Sequence, residues 1–224
     1  MDIQEIKASL YDETREFTEG VMANKDYFVC MYGSYATEHF RPDSDLDILF
    51  AQETYNPEDY EKIKEFVVSL HTRNGLTIDE EVPYENKLLV PYGDIVHATN
   101  LDAFNVKERG GFEVPAIPND AAFLASHEVR SRLILNCLTT PHVFVSGNYP
   151  RYQELKLGCE RALIQLAHGL IEIDKPDETE ILHALLVGPN GETGQAHLGY
   201  KGERAEVAAY LKLLIERSIE PNDV

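Results

Sequence analysis

The sequence predicts an α+β protein, in which a small mixed sheet flanked by helices is followed by a helical C-terminal domain. Short β-rich runs at 27–32 and 46–51 alternate with amphipathic segments in the first half of the chain. The stretch 100–118 contains several glycines and prolines, which mark a linker or loop. Beyond it, the apolar residues recur only at the spacing of a helix. We therefore expect one domain at 1–115 and a second, helical one at 116–224.

The first predicted helix spans 1–23, and its apolar residues recur on one face. Strands at 27–32 and 46–51 follow it, and the first of them ends at Gly33. The apolar stripe of the helix, which indicates the side that packs on the sheet, consists of Ile6, Leu10, Phe17 and Val21.

The second helix has clear start and stop signals. Asn56 is a helix cap, Pro57 suits the first helical position, and Gly75 ends the segment. Its apolar stripe consists of Ile63, Phe66, Val67 and Leu70. A strand at 76–82 and a short apolar run at 88–90 are predicted next. The second half is predicted to form helices at 119–138, 149–171, 178–186 and 203–217.

Composition is that of a soluble globular protein, with 224 residues, 43% apolar residues and 26% charged residues. The sequence shows neither an apolar run long enough to span a bilayer nor a secretory signal, which predicts a cytoplasmic protein without membrane contact. Cys30, Cys137 and Cys159 are widely spaced and lie in apolar surroundings. They are therefore predicted to be buried free thiols.

The charge balance is strongly acidic, because 20 Lys and Arg stand against 39 Asp and Glu, giving a formal net charge of −19. This field opposes binding to a polynucleotide, whose affinity for proteins depends on neutralising cations. A cationic acceptor such as a polyamino compound would be attracted. An acidic surface that serves only solubility is the alternative interpretation.

The chemistry is concentrated between Gly33 and Asp47. Gly33 directly follows a strand, and without a Cβ it lets a phosphate approach the backbone, to which Ser34 offers a hydroxyl and an N–H. After ten intervening residues, Asp45 and Asp47 stand two apart on the next predicted strand, so both carboxylates point to one face. Paired carboxylates hold divalent cations, and two Mg²⁺ ions, or Mn²⁺, serve in-line nucleotidyl transfer.

The sequence motif Y-G-S followed by R-P-D-S-D-L-D-I-L-F resembles the signature of the DNA polymerase beta-like nucleotidyltransferase superfamily. More narrowly, it is similar to the antibiotic, aminoglycoside-type nucleotidyltransferases. The motif covers residues 31–50, and the order of predicted elements extends the likeness to about residue 95. The resemblance implies a nucleoside triphosphate as co-substrate and divalent metal ions as cofactors.

The resemblance also implies a third carboxylate on a later strand, and 76–82 is the natural place. If Ile78 and Val82 face the core, Asp79 and Glu81 face the site. Asp79 is the preferred metal ligand or general base, and Glu81 is the alternative. Related enzymes bind the triphosphate with a lysine from the helical half, for which Lys156 is the candidate and a solvated lysine the alternative.

Arg41 is a further candidate for the triphosphate, and pairing with a neighbouring acid is its alternative role. Together these residues predict transfer of a nucleoside monophosphate to a hydroxyl of an acceptor, most simply a small molecule, with release of pyrophosphate. A protein or tRNA nucleotidylyltransferase of the toxin type and a non-catalytic nucleotide-binding module are the rival hypotheses. The sequence does not specify the base, the acceptor or the oligomeric state.

Overall fold

The computed structural model describes residues 2–38, 40–78, 88–99, 134–135 and 137–174, with 163–174 described by their backbone alone. Within these ranges, no helix combines the length and the apolar character needed to cross a bilayer.

A mixed sheet of four strands organises the described part of the chain. β1 (Tyr27–Tyr32), β2 (Asp47–Gln52), β3 (Leu89–Pro91) and β4 (Val143–Gly147) are arranged in the order β3-β2-β1-β4. β1 pairs antiparallel with both β2 and β4, whereas β2 and β3 are parallel. β1 therefore lies inside the sheet, and all its residues are buried.

Helices cover both faces of this sheet. α1 (Ile3–Val21) and α2 (Pro57–Asn74) lie on one face, where their apolar stripes meet the side chains of Val29, Met31, Ile48 and Phe50. On the other face, Phe28 contacts the ring of Tyr92 in α3 (Tyr92–Ala98) and the ring of Tyr152 in α4 (Tyr149–Asp174). Because side chains alternate along a strand, neighbouring residues of β1 and β2 belong to different layers.

The predicted caps of α2 are confirmed. The Asn56 side chain accepts hydrogen bonds from the backbone N–H of Glu58 at 2.8 Å and of Asp59 at 3.4 Å. Gly75 ends the helix in the left-handed conformation, with φ of 67°. The stripe predicted for this helix faces the core, with Ile63, Val67 and Leu70 buried and Phe66 partly buried.

Two strand predictions need correction. β2 begins at Asp47 rather than at Leu46, since β1 ends at Tyr32, and Tyr32 pairs with Asp47. Asp45 therefore precedes the strand on which it was predicted to lie. The predicted strand 76–82 is not present over 76–78, and residues 79–82 lie outside the described residues. The short apolar run 88–90 overlaps β3, which spans Leu89–Pro91.

Several features of the second half depart from the purely helical expectation. The helix predicted at 149–171 is confirmed as α4, and 134–135 and 137–139 are helical, as predicted. β4, however, comes from the part assigned to the helical domain and joins the sheet beside β1. The linker at 100–118 and the helices at 178–186 and 203–217 lie outside the described residues, and the boundary near residue 115 stays a prediction.

Candidate active site

Gly33 lies directly against the carboxylate of Asp47. It begins a short 3-10 helix, Gly33–Ala36, and adopts a positive φ of 65° that side chains other than glycine rarely tolerate. A Cβ atom at this position would lie 2.1 Å from Asp47 Oδ2 and 3.0 Å from its Cγ. The register Tyr32 to Asp47 brings the end of β1 to the start of β2. The structure thus places the carboxylate on the glycine turn.

The turn that contains Ser34 carries a polar atom without a partner. Ser34 Oγ is buried, and no described group lies within hydrogen-bond reach of it. Its carbonyl, in contrast, accepts bonds from the backbone N–H of Thr37 at 3.1 Å and from Thr37 Oγ1 at 3.0 Å. Leaving a buried hydroxyl unpaired costs about 1–3 kcal/mol. A ligand oxygen at this turn would remove that cost.

The turn is also braced by α1. Lys7 Nζ donates to the carbonyl of Thr37 at 3.2 Å, and the hydroxyl of Tyr35 donates to the carbonyl of Lys7 at 2.8 Å. Partial burial lowers the pKa of Lys7, and burial raises the pKa of Tyr35 to about 12. The conformation of Gly33–Ala36 is therefore held by a helix as well as by the strands.

Asp45 and Asp47 alternate with core residues, as the sequence predicts. Leu46 and Ile48 are buried in the core under α1 and α2, while both aspartates are half-buried. Burial raises the pKa of the Cys137 thiol well above its usual range, and the negative charge of Asp47 adds to the shift. The helical residues around Cys137 thus lie close enough to Asp47 for its charge to act on them.

A comparison with known protein families bears on this arrangement. Residues 15–107 match the family model of the nucleotidyltransferase domain. This range includes Gly33, Ser34, Asp45 and Asp47, and it supports the resemblance to the DNA polymerase beta-like superfamily. The match covers less than half of the chain, and it does not confirm the narrower likeness to aminoglycoside-type enzymes. Searches of curated proteins and of solved structures returned no match.

Both candidates for the predicted third carboxylate, Asp79 and Glu81, lie outside the described residues. The chain just before them contacts the loop that precedes Asp45, since the backbone N–H of Thr77 donates to the carbonyl of Ser44 at 3.2 Å. Among the described residues, no group of three or more His, Cys, Asp or Glu side chains is arranged to hold a metal ion.

The two cationic side chains that are predicted to bind the triphosphate differ in their surroundings. Arg41 is exposed in the loop before β2, where its backbone N–H donates to Ser44 Oγ at 3.0 Å. Lys156 is largely buried and forms an ion pair with Glu160, one turn further along α4. Burial raises the pKa of Cys30, and the charge of Lys156 partly opposes this shift. Lys156 therefore acts on the sheet face that also carries Asp47, and the roles of both cations stay predictions.

One residue beside the site has no role in the sequence-based prediction. His71 is buried on α2, and its Nε2 accepts a hydrogen bond from the backbone N–H of Leu46 at 3.1 Å. A signal was present in the sequence, because His71 lies four residues after Val67 on the apolar stripe. A polar residue on a core-facing stripe needs a buried partner, but the pattern does not indicate which one.

We predict that Gly33→Ala destabilises the protein and weakens nucleotide binding. The new methyl group meets the Asp47 carboxylate, and a non-glycine residue at positive φ adds strain of about 1–3 kcal/mol. Thermal denaturation with and without a nucleoside triphosphate and Mg²⁺ measures both effects.

Gly20→Ala is the matched control for this prediction. An added Cβ at Gly20 meets no atom within 4 Å, and the residue lies inside α1. Its substitution should stabilise the protein by up to about 1 kcal/mol and leave nucleotide binding unchanged. Wild-type stability and nucleotide binding in Gly33→Ala would show that the Gly33 and Asp47 contact is not as described.

Proposed function

We propose that this protein transfers a nucleoside monophosphate from a nucleoside triphosphate to a hydroxyl group of a small-molecule acceptor, releasing pyrophosphate. The family match supports nucleotidyl transfer in general. One observation supports the specific site: the Asp47 carboxylate lies against Gly33, next to the buried, unpartnered hydroxyl of Ser34. This juxtaposes a phosphate-binding turn and an acidic side chain, which are the two parts that the reaction requires.

The chemistry of the donor groups fits Mg²⁺ or Mn²⁺. Both ions prefer hard oxygen ligands, and Asp45 and Asp47 supply carboxylates separated by one core residue. We propose that these two residues hold two metal ions together with Asp79, or with Glu81 in its place. When bound, such ions neutralise the triphosphate and polarise the phosphorus that is attacked.

The protein's own groups position the reactants. The missing side chain of Gly33 leaves the backbone open to a phosphate, and the Ser34 hydroxyl donates a hydrogen bond to a phosphate oxygen. The acceptor oxygen attacks the α-phosphorus in line, so that a new P–O bond forms as the bond to pyrophosphate breaks. In this proposal the carboxylate of Asp79 either completes the metal site or takes the acceptor's proton.

We propose that Lys156 and Arg41 bind the outer phosphates. Lys156 already has an anionic partner in Glu160, so a phosphate oxygen has to replace or share that carboxylate. Arg41 is exposed and can move toward a bound nucleotide at little cost. The negative charge of the triphosphate would then be neutralised by the metal ions near the attacked phosphorus and by Lys156 and Arg41 at the outer phosphates.

The class of acceptor is proposed from charge and from the motif. The net charge of −19 disfavours an RNA or DNA acceptor and favours a cationic one. The similarity of the motif to the antibiotic nucleotidyltransferases points the same way, toward a small compound that carries hydroxyl and amino groups.

We predict that Asp45→Asn and Asp47→Asn each reduce turnover by at least about a hundredfold, because phosphoryl transfer depends on charge neutralisation. The melting temperature should stay the same or rise, since repulsion between two nearby carboxylates is removed. Asp43→Asn is the control, because it makes the same charge change at an exposed position of the same loop. Full activity in both site variants would refute the assignment.

We also predict that a nucleoside triphosphate stabilises the protein only when Mg²⁺ or Mn²⁺ is present. A ligand at a hundred times its Kd stabilises the native state by about 2.7 kcal/mol, which a thermal shift detects. The shift should disappear with EDTA and in Asp47→Asn. Equal shifts with and without metal would count against metal-assisted binding.

The acceptor class is tested by following pyrophosphate release from the four nucleoside triphosphates in the presence of small hydroxyl and amine compounds. We expect release with a cationic polyhydroxy compound. A parallel incubation with labelled triphosphate and a cell lysate shows whether the label enters small molecules, protein or RNA. Label in protein or RNA alone would replace the small-molecule proposal by one of its rivals.

A further inference from the structure

The two aspartates are held by different parts of the structure. Asp47 is the first residue of β2 and pairs with Tyr32 across the sheet. Asp45 precedes the strand and is outside this ladder of hydrogen bonds. Because carboxylates that share a ligand must keep a fixed separation, the backbone around Asp45 needs other restraints.

One restraint on Asp45 is the imidazole ring of His71. Only 3% of this residue is exposed, and its Nε2 lies 3.1 Å from the backbone nitrogen of Leu46. A backbone N–H can only donate, so Nε2 accepts and carries no hydrogen. The hydrogen is then on Nδ1, which lies 2.8 Å from the carbonyl oxygen of Val67 and donates to it. Both ring nitrogens therefore have a partner.

The other side of Asp45 is held by the segment that follows α2. The backbone N–H of Thr77 donates to the carbonyl of Ser44 at 3.2 Å, and Thr77 Oγ1 donates to the carbonyl of Asp43 at 2.6 Å. Hydrogen bonds thus reach the residue before Asp45 and the residue after it. His71 supplies the one on the buried side, where Leu46 is only 5% exposed and water cannot easily take its place.

We propose that His71 is a positioning residue, which orients the Asp45 carboxylate for metal binding by accepting the hydrogen bond that the Leu46 N–H donates. This inference rests on the proposed function, since it assigns His71 to the same metal site. The ring lies on the core side of the segment, so it acts through the backbone and not as a ligand. Groups that orient metal ligands in this way usually change metal affinity by about 10–100-fold when they are removed.

Three variants separate this role from simple packing. His71→Gln retains a side-chain oxygen that can accept from Leu46. His71→Phe retains the ring volume and removes the acceptor. Ile63→Val is the matched control, because it trims a fully buried residue of the same helix that lies two turns away from the loop. A packing role predicts that His71→Phe is the milder change, whereas a positioning role predicts that His71→Gln is.

The experiment is a Mn²⁺ titration followed by electron paramagnetic resonance, with a nucleoside triphosphate analogue that cannot be hydrolysed. We expect Kd for Mn²⁺ to rise at least about tenfold in His71→Phe, to stay within about threefold of wild type in His71→Gln, and to be unchanged in Ile63→Val. If His71→Phe does not fold, His71→Asn replaces it, because its amide is too short to reach Leu46.

Hydrogen exchange of the Leu46 amide gives a readout independent of metal and activity. We expect slow exchange in wild type and His71→Gln and fast exchange in the variant without the acceptor. Wild-type Mn²⁺ affinity in that variant, or fast exchange in wild type, overturns the role of His71 and leaves the proposed function intact. Absence of Mn²⁺ binding in wild type overturns both.

Discussion

The described structure depends on the contact between Gly33 and Asp47 at the ends of two paired strands. The positive φ of Gly33 turns the chain away from the sheet just where β2 begins, and the missing Cβ leaves room for the carboxylate. Register is critical here, because side chains alternate between the faces of a strand. A slip by one residue would direct Asp47 into the core and bring Ile48 to the glycine turn.

The core protects this register. Ile48 and Phe50 are buried against α1 and α2, so a slip would move Ile48 to the half-buried position of Asp47 and bury a carboxylate in the core. Both penalties are much larger than the repulsion between two half-buried aspartates. The apolar packing on one face of β2 therefore keeps acidic side chains together on the other. The fold can hold a group of like charges because their positions are fixed by residues that do not belong to the site.

The sequence predicted those elements whose signals are local. Asn56, Pro57 and Gly75 define α2 through caps that depend only on nearby backbone, and the structure reproduces both ends. β4 was missed because its evidence is long-range: only two of its five residues are buried, and it is tied to α1 by the hydroxyl of Tyr11, which donates to the carbonyl of Val145 at 3.2 Å. No periodicity within Val143–Gly147 reports that contact. The seven-residue α3 was missed because it is too short to show a helical stripe.

The residues of the candidate site could be proposed from the sequence, whereas the groups that hold them in place could not. Gly33, Ser34, Asp45 and Asp47 stand out because their spacing is linear in the sequence. The strand was predicted to begin one residue too early, since the pattern of alternation continues through Leu46 although β1 has no residue left to pair with it. Whether a residue lies within a ladder depends on where its partner strand ends, and that end is set here by Gly33.

Because β1 ends at Tyr32, substitutions in different parts of the chain act on the two aspartates. Substitutions in the sheet act on Asp47 directly, because its backbone is part of the β1 and β2 pairing. Substitutions at the end of α2 and in the segment after it act on Asp45, whose neighbours Ser44 and Leu46 are bound by Thr77 and His71. The same segment continues toward residue 79, where the third carboxylate is expected. The end of α2 therefore contacts the backbone beside Asp45 and leads into the segment in which the third carboxylate is expected. In this way the helix affects the candidate site without supplying a metal ligand.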